Sequence, residues 1–202
     1  INIETNEELV HSIPELTYCD YTWYREYIYY TVGDNANRMY QLWKYNTETH
    51  EKIMIYQNMN DLVNVDYYMS HDNKYIFIFA NSYETSDVYY MEQGDIIPKQ
   101  FTKKIANHKY TVDYHEGKFL IKTNKDNSTN FKIMTCALYN TDINNWTEFI
   151  EYKEDIYIKN IVELKNYILI SYKQNGNNLI RVVPYENSAY NLVNSYIIYI
   201  ND

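Results

Sequence analysis

One pattern recurs four times along the chain. Tyr27-Ile28-Tyr29, Tyr75-Ile76-Phe77, Phe119-Leu120-Ile121 and Tyr167-Ile168-Leu169 each open a short apolar run, and their starts lie 48, 44 and 48 residues apart. A tight polar turn precedes each one: Tyr24-Arg25-Glu26, Asp72-Asn73-Lys74, Glu116-Gly117-Lys118 and Leu164-Lys165-Asn166. The stretch Tyr110–Met134 shows the unit most clearly, as strand, two-residue turn, strand, polar loop, strand. Glu116-Gly117 sits at the turn, where Gly accepts positive φ. Phe119 and Ile121, then Phe131 and Ile133, fall at alternate positions, as in half-buried strands. A period in the forties with four strands per unit predicts β-propeller blades. A sandwich also has many short strands, but no reason to repeat every four of them.

The repeat bounds four units at 16–60, 61–105, 108–153 and 156–202. The first is predicted to hold strands at Thr17–Trp23, Tyr27–Val32, Met39–Tyr45 and Glu51–Gln57, with Pro14 breaking the chain before it. The second holds Val63–Met69, Tyr75–Phe79, Asp87–Met91 and Gln100–Lys104. Tyr75–Phe79 is apolar at almost every position, as a strand covered on both faces would be. The third ends with Trp146–Tyr152. The fourth holds Tyr157–Leu164, Tyr167–Tyr172, Asn178–Val183 and a weaker ending near Tyr196–Ile200. No segment sustains a 3.6-residue period, so helix should be scarce. The expected fold is all-β, a partial β-propeller of about four four-stranded antiparallel blades. Four blades either close on themselves or form part of a larger ring, and a part exposes blade faces and strand edges.

The chain has 202 residues and a formal net charge of −9, which argues against a nucleic-acid backbone as partner and leaves cationic ligands open. Acidity also serves plain solubility. Tyrosine reaches 26 residues against 4 Gly and 3 Pro. Tyr suits strands with one wet end, although Tyr, Asn, Ile and Lys also share AT-rich codons. Asn- and Tyr-rich chains can be low-complexity, but here the polar residues fall between alternating apolar runs. Cys19 and Cys136 form no CxxC, which reads as two structural thiols in a reduced, cytoplasmic chain. No apolar run approaches the length of a membrane helix, and the polar, acidic opening is no signal peptide. The first residue is Ile1 and not Met, which suggests a trimmed chain or a start inside a longer protein.

Catalytic signatures are missing. None of the four glycines has a serine two residues away, so a nucleophile elbow has no candidate. There is no H-E-x-x-H, phosphate loop or EF-hand. Of His11, His50, His71, His108 and His115, the last three fall at predicted turns or strand ends, where solvated roles are the default. No metal or cofactor site is expected. The acidic pairs Glu7-Glu8 and Glu154-Asp155 read as solvated loop charges. A glycosidase would need two carboxylates about 5–10 Å apart in a pocket, which spacing alone cannot place. The sequons at Asn127 and Asn145 are expected by chance in so Asn-rich a chain. The aromatic stripes read as packing between blades, with Trp23, Trp43 and Trp146 as wedges, and less readily as stacking platforms for sugars or bases.

The chain resembles the N-terminal propeller of oligopeptidase B, in the prolyl oligopeptidase family of serine peptidases. Trp23 with Tyr27-Ile28-Tyr29-Tyr30-Thr31, Arg38 through Lys44, Ile55 through Asn60, Asn81-Ser82 with Thr85 through Val88, and Phe101 through Phe131 carry the likeness, with Trp146 opening the next strand. Tyr110-Thr111-Val112-Asp113, Thr123-Asn124 and Asn130-Phe131 are its best-matched runs. The resemblance implies a seven-bladed propeller that lids an α/β-hydrolase domain, admits short peptides and excludes folded proteins. It implies cleavage after Lys or Arg by a Ser-Asp-His triad in the hydrolase domain. No residue here matches that triad, so no catalytic residue is assigned and the substrate-binding residues stay unassigned. Gln57, Asn58 and Asn60 stand where the family pattern is acidic, and Tyr45 where it has His. That loss of charge fits relaxed selection or a fragment of a split gene.

Three functions follow as expectations. The first is a non-catalytic propeller segment of an oligopeptidase B-like peptidase, acting as a lid. Its partners would be an α/β-hydrolase catalytic domain, short cationic peptides and other copies of itself through open blade faces, with no nucleic acid and no membrane. The second is a stand-alone propeller-type interaction module. The third is an autonomous enzyme with a carboxylate site, which predicts a pocket with two facing acids.

Overall fold

The computed structural model describes residues 20–200. Pro14, Leu16 and the Thr17–Cys19 part of the first predicted strand lie outside the described residues. The chain divides into two compact units, one ending at Asp66 and one beginning at Tyr67.

In the first unit, β1 (Tyr21–Tyr24), β2 (Tyr27–Gly33), β3 (Met39–Asn46) and β4 (Lys52–Gln57) form one antiparallel sheet in chain order. Tight turns set the order, since a two-residue link admits only an antiparallel neighbour. Arg25 takes φ 54° in the β1–β2 turn. The stretch after β4 is irregular and is held by Arg38. Its Nη1 donates to the carbonyls of Asn58, Asn60 and Val63 at 3.2, 3.1 and 3.0 Å, while its Nε pairs with Asp34 at 2.9 Å. One guanidinium thus satisfies three carbonyls that no strand partner takes. The Arg38 backbone amide, with that of Ala36 and the guanidinium, holds the Asp34 carboxyl below its ordinary range.

Three sheets follow. β5 (Asn64–Met69), β6 (Tyr75–Asn81), β7 (Ser86–Glu92) and β8 (Lys99–Gln100) form one. β9 (Tyr110–His115), β10 (Lys118–Thr123), β11 (Lys132–Ala137) and β12 (Thr147–Ile150) form the next. β13 (Ile156–Leu164), β14 (Tyr167–Gln174) and β15 (Asn177–Glu186) form the last, with β16 (Ala189–Tyr190) and β17 (Tyr196–Tyr199) both pairing β15. The outer strand of this sheet is therefore split into two pieces along a ten-residue neighbour. At the β9–β10 turn Glu116 and Gly117 take φ 46° and 85°, the pair of positive values a type I′ turn requires. Among the described residues, helix is limited to the 3-10 turns Lys125–Asn127 and Ile143–Asn145. The all-β, four-bladed reading is correct.

The core of the second unit lies between the faces of successive sheets. Tyr75, Phe77, Val88 and Phe101 from one sheet meet Tyr110, Val112, Phe119 and Trp146 from the next. The Phe119 ring lies 5.4 Å from Tyr75, 5.9 Å from Phe77, 5.3 Å from Tyr90 and 5.2 Å from Phe101, edge-on to each. Leu120 and Ile133 face Ile158, Ile168, Ile170 and Val183 across the following interface.

Three local expectations change. The strand predicted at Gln100–Lys104 shrinks to Lys99–Gln100, because Phe101 turns into the aromatic core and Lys103-Lys104 stay exposed. Trp146 precedes its strand and does not join it: its Nε1 donates to the Thr141 carbonyl at 2.8 Å, which fixes the ring between sheets. Trp23 is no wedge, being 62% exposed with its Nε1 bonded to the Arg25 carbonyl, and Trp43 is only half-buried.

Replacing Arg38 with Met removes the guanidinium from Asp34 and from the carbonyls of Asn58, Asn60 and Val63. It is expected to destabilise the protein by about 1.5–3 kcal/mol, the range for hydrogen bonds to charged groups. Urea unfolding checks this, and an unchanged midpoint contradicts the assignment.

Candidate functional site

The first strands of the last three sheets, β5, β9 and β13, are sheet edges, and side chains from all three meet. Asp113 on β9 lies within hydrogen-bonding reach of both Glu163 on β13 and the Tyr68 hydroxyl on β5. Each residue arrives by strand alternation. On β9, Tyr110, Val112 and Tyr114 point into the aromatic core, which leaves Thr111, Asp113 and His115 on the other face. On β13 the alternation is broken. Ile158 pairs Tyr172 and Asn160 pairs Ser171, so Lys159 is an extra, bulged residue. Before the bulge Ile156 and Ile158 turn inward; after it Ile161 and Glu163 do. The bulge is what buries Glu163.

Glu163 is 3% exposed, and its Oε1 has no hydrogen-bond partner. Burial raises the pKa of both carboxyls, and their mutual contact raises that of Glu163 further. Two carboxyls in contact cannot both ionise there, so the pair retains a proton near neutral pH. Tyr68 titrates above its usual range, through burial and then the two acids.

Two open clefts flank the pair, each about 320 Å³. Tyr68, Phe79, Val112, Asp113 and Ile161 line one. His71, Asp72, Tyr114, His115, Glu116 and Glu163 line the other. His115 is buried, with Nε2 at 2.9 Å from the Leu164 carbonyl and Nδ1 at 3.1 Å from the Tyr190 hydroxyl. A carbonyl only accepts, so Nε2 carries a hydrogen and donates it to Leu164.

The two facing acids that a carboxylate enzyme requires are therefore present, although neither predicted acidic pair supplies them. Glu154 and Asp155 are exposed, with Asp155 bonded to Gln174 at 2.7 Å, and Glu7-Glu8 lies outside the described residues. Contact between Asp113 and Glu163 leaves no room for a water or a sugar carbon, so the separation a glycosidase needs is not met. Two histidine expectations are corrected. His108 and His115 are buried rather than solvated, while His71 is exposed as expected. His108 stacks on Tyr110 at 4.7 Å and meets Thr123 Oγ1 through Nε2 at 2.8 Å. Burial lowers its pKa from 6.5 to about 4. Among the thiols, Cys136 is buried and pushed up to about 12, while Cys19 lies outside the described residues, as does His11. Tyr45, standing where the family pattern has His, bonds His50 Nδ1 at 2.8 Å. No helix among the described residues is long and apolar enough to cross a membrane.

The sheet order and repeat point to propeller blades, and the comparisons decide which. The model of the N-terminal β-propeller domain of prolyl oligopeptidase matches residues 1–198. The chain belongs to that family. It is 26% identical over 189 residues to Protease 2 of Moraxella lacunata, covering 90% of this chain and 27% of that protein. Oligopeptidase B from Leishmania major superposes with a TM-score of 0.82 at 16% identity, over 91% of this chain and 27% of that one. Oligopeptidase B from Trypanosoma brucei, in a closed form with covalently bound antipain, gives 0.83 at 18% identity over the same shares. The resemblance to the oligopeptidase B propeller is thus correct, and the chain spans about a quarter of the length of these relatives.

The acid pair and His108 give stability opposite pH slopes. The unfolded chain releases the carboxyl protons near about pH 4, whereas the folded pair holds one to higher pH. Stability from the pair is complete at low pH and declines as pH rises towards the folded value. His108 is charged in the unfolded chain below 6.5 but neutral when folded, so its contribution disappears as pH falls from 6.5 towards 4. Thermal unfolding between pH 5 and pH 9 is expected to show the alkaline decline in the native chain and a flatter one in Glu163→Gln. Equal alkaline slopes in the two proteins contradict a proton held by the pair.

Proposed function

We propose that the chain is a non-catalytic propeller segment of an oligopeptidase B-like serine endopeptidase, gating access to a hydrolase active site. The observation that carries the reading is the family match over nearly the whole chain, together with four blades of the expected strand order. Its units are the blades bounded at 16–60, 61–105, 108–153 and 156–202. The partner is an α/β-hydrolase catalytic domain, and the substrates are short peptides cleaved after Lys or Arg. The net charge of −9 and the carboxyl-bearing edge strands suit cationic peptides. The setting is cytoplasmic, consistent with a free, buried thiol at Cys136.

The purified chain is to be assayed against fluorogenic dipeptides ending in Arg, Lys or Pro, alone and after mixing with a separately produced oligopeptidase B hydrolase domain. The expected result is no turnover alone. On mixing, cleavage after Arg and Lys continues while an unfolded protein such as casein is degraded less. Turnover by the chain alone, or mixing without effect on the casein rate, overturns the reading.

A stand-alone interaction module is the second reading, and one observation favours it. Tyr196, Ile197, Ile198 and Tyr199 on β17 are all exposed, an apolar strand that a partner could cover. If the open face belongs beside another blade, light scattering across a concentration series is expected to show a dimer that dissociates on dilution. A monomer at every concentration favours the stand-alone module instead.

A further inference from the structure

Glu163 poses a chemical question that the fold leaves unanswered. Its Oε1 is buried without a donor, in a residue 3% exposed. A buried acceptor left unmatched costs about 1–3 kcal/mol, and folded proteins retain few of them. Two donors around the cleft are engaged elsewhere. His115 spends both ring nitrogens on Leu164 and Tyr190, and Lys74 pairs Asp72 at 3.0 Å. The cleft beside Glu163 is about 320 Å³, carries Asp72 and Glu116 against Lys165, and has Tyr114 and Leu164 as apolar walls. That combination suits a group with several hydrogen-bond donors, a positive charge and an alkyl stem.

We propose that Asp113 and Glu163, with the Tyr68 hydroxyl, form a subsite for a guanidinium or primary ammonium group entering through the cleft lined by Asp72, His115 and Glu116. Two carboxylates and one cation carry a net charge of minus one, the same as the singly protonated empty pair. When the cation enters, the proton shared by the two acids leaves to solvent, so the charge of the site is unchanged. The cation then donates to Oε1 of Glu163 and to Asp113, the arrangement in which paired buried charges are tolerated. Burial, which keeps the empty pair protonated, makes binding compete with a proton. The ionisable groups facing the pair or lining its cleft are Tyr68, His71 and Asp72 from the β5–β8 sheet, Tyr114, His115 and Glu116 from the β9–β12 sheet, and Lys165 and Tyr190 from the last sheet. The subsite stands independently of the peptidase reading, because its test needs only this chain and a small probe.

Calorimetric titration with agmatine at pH 6 and pH 8.5, in two buffers of different ionisation heat, tests it. The expected result is saturable binding about tenfold or more tighter at the higher pH, with net proton release. Glu163→Gln and Asp113→Asn are each expected to lose that pH dependence and weaken binding about tenfold or more while still unfolding cooperatively. Absence of saturable binding up to about 10 mM, or equal affinity in Glu163→Gln, overturns the proposal and leaves the pair a structural contact between strands. A second arm compares a short Arg-containing peptide with its citrulline counterpart. Tighter binding of the Arg peptide than of agmatine identifies a peptide side chain as the occupant, and tighter agmatine identifies a free amine. Equal binding of the Arg and citrulline peptides removes the cation from the argument and overturns it.

Discussion

The packing of one sheet face against the next is the constraint on which the second unit depends. A blade of four short strands has two apolar faces and no helix to cover either, so each must be buried by its neighbour. Between the β5–β8 and β9–β12 sheets this is done by rings. Phe119 lies edge-on to four aromatic neighbours, and Trp146 and Tyr110 extend the cluster outward. Tyrosine suits this arrangement, because a ring buried near a sheet margin keeps its hydroxyl within reach of a partner. Tyr110 shows it: the ring is 2% exposed and the hydroxyl accepts from the Val88 amide at 3.4 Å.

Face packing also brings edge strands side by side, and there the interior becomes polar. Lys132 and Glu163 show two outcomes of the same burial. The Lys132 side chain is 8% exposed, and its ammonium meets Asp126 at 2.9 Å and Glu148 at 3.5 Å. Those two partners are more than half exposed, so water shares the charge. Glu163 has another acid and its own backbone amide, and keeps one oxygen without a donor. The first arrangement is complete within the chain. The second is complete only with a proton, and its unmatched oxygen sets it apart from the surrounding core.

The blades were legible because their signal is local. Apolar runs at a fixed spacing, with turn residues between them, place β2, β6, β10 and β14 within a residue or two. The acid pair was illegible because it depends on register. Read with unbroken alternation, Ile158 on the inner face puts Asn160, Val162 and Leu164 there too, and Glu163 outside. The bulge at Lys159 reverses this, and its carbonyl is taken by the Lys122 ammonium at 2.6 Å from the neighbouring sheet. A contact 37 residues away in sequence thus accompanies the change in strand phase. His108 and His115 were misjudged for a related reason. Turns and strand ends read as solvated, yet His108 just before β9 and His115 at its end lie inside a stack of sheets, where Thr123, Tyr190 and a carbonyl replace water.

The amide residues after β4 show how charge and fold separate. Asn58 Oδ1 accepts from the Asn60 amide, and Asn60 Oδ1 from the Leu62 amide, both at 3.0 Å. A carboxylate oxygen makes the same turn, so Asn and Asp are equivalent there for local geometry. Arg38 holds this stretch through main-chain carbonyls, which every residue type provides. The path of the chain is therefore insensitive to whether these positions are acidic or amide. What changes is the field they project. Selection on charge at this edge can then be relaxed or reversed without disturbing the blade, whereas Arg38 itself has no such freedom.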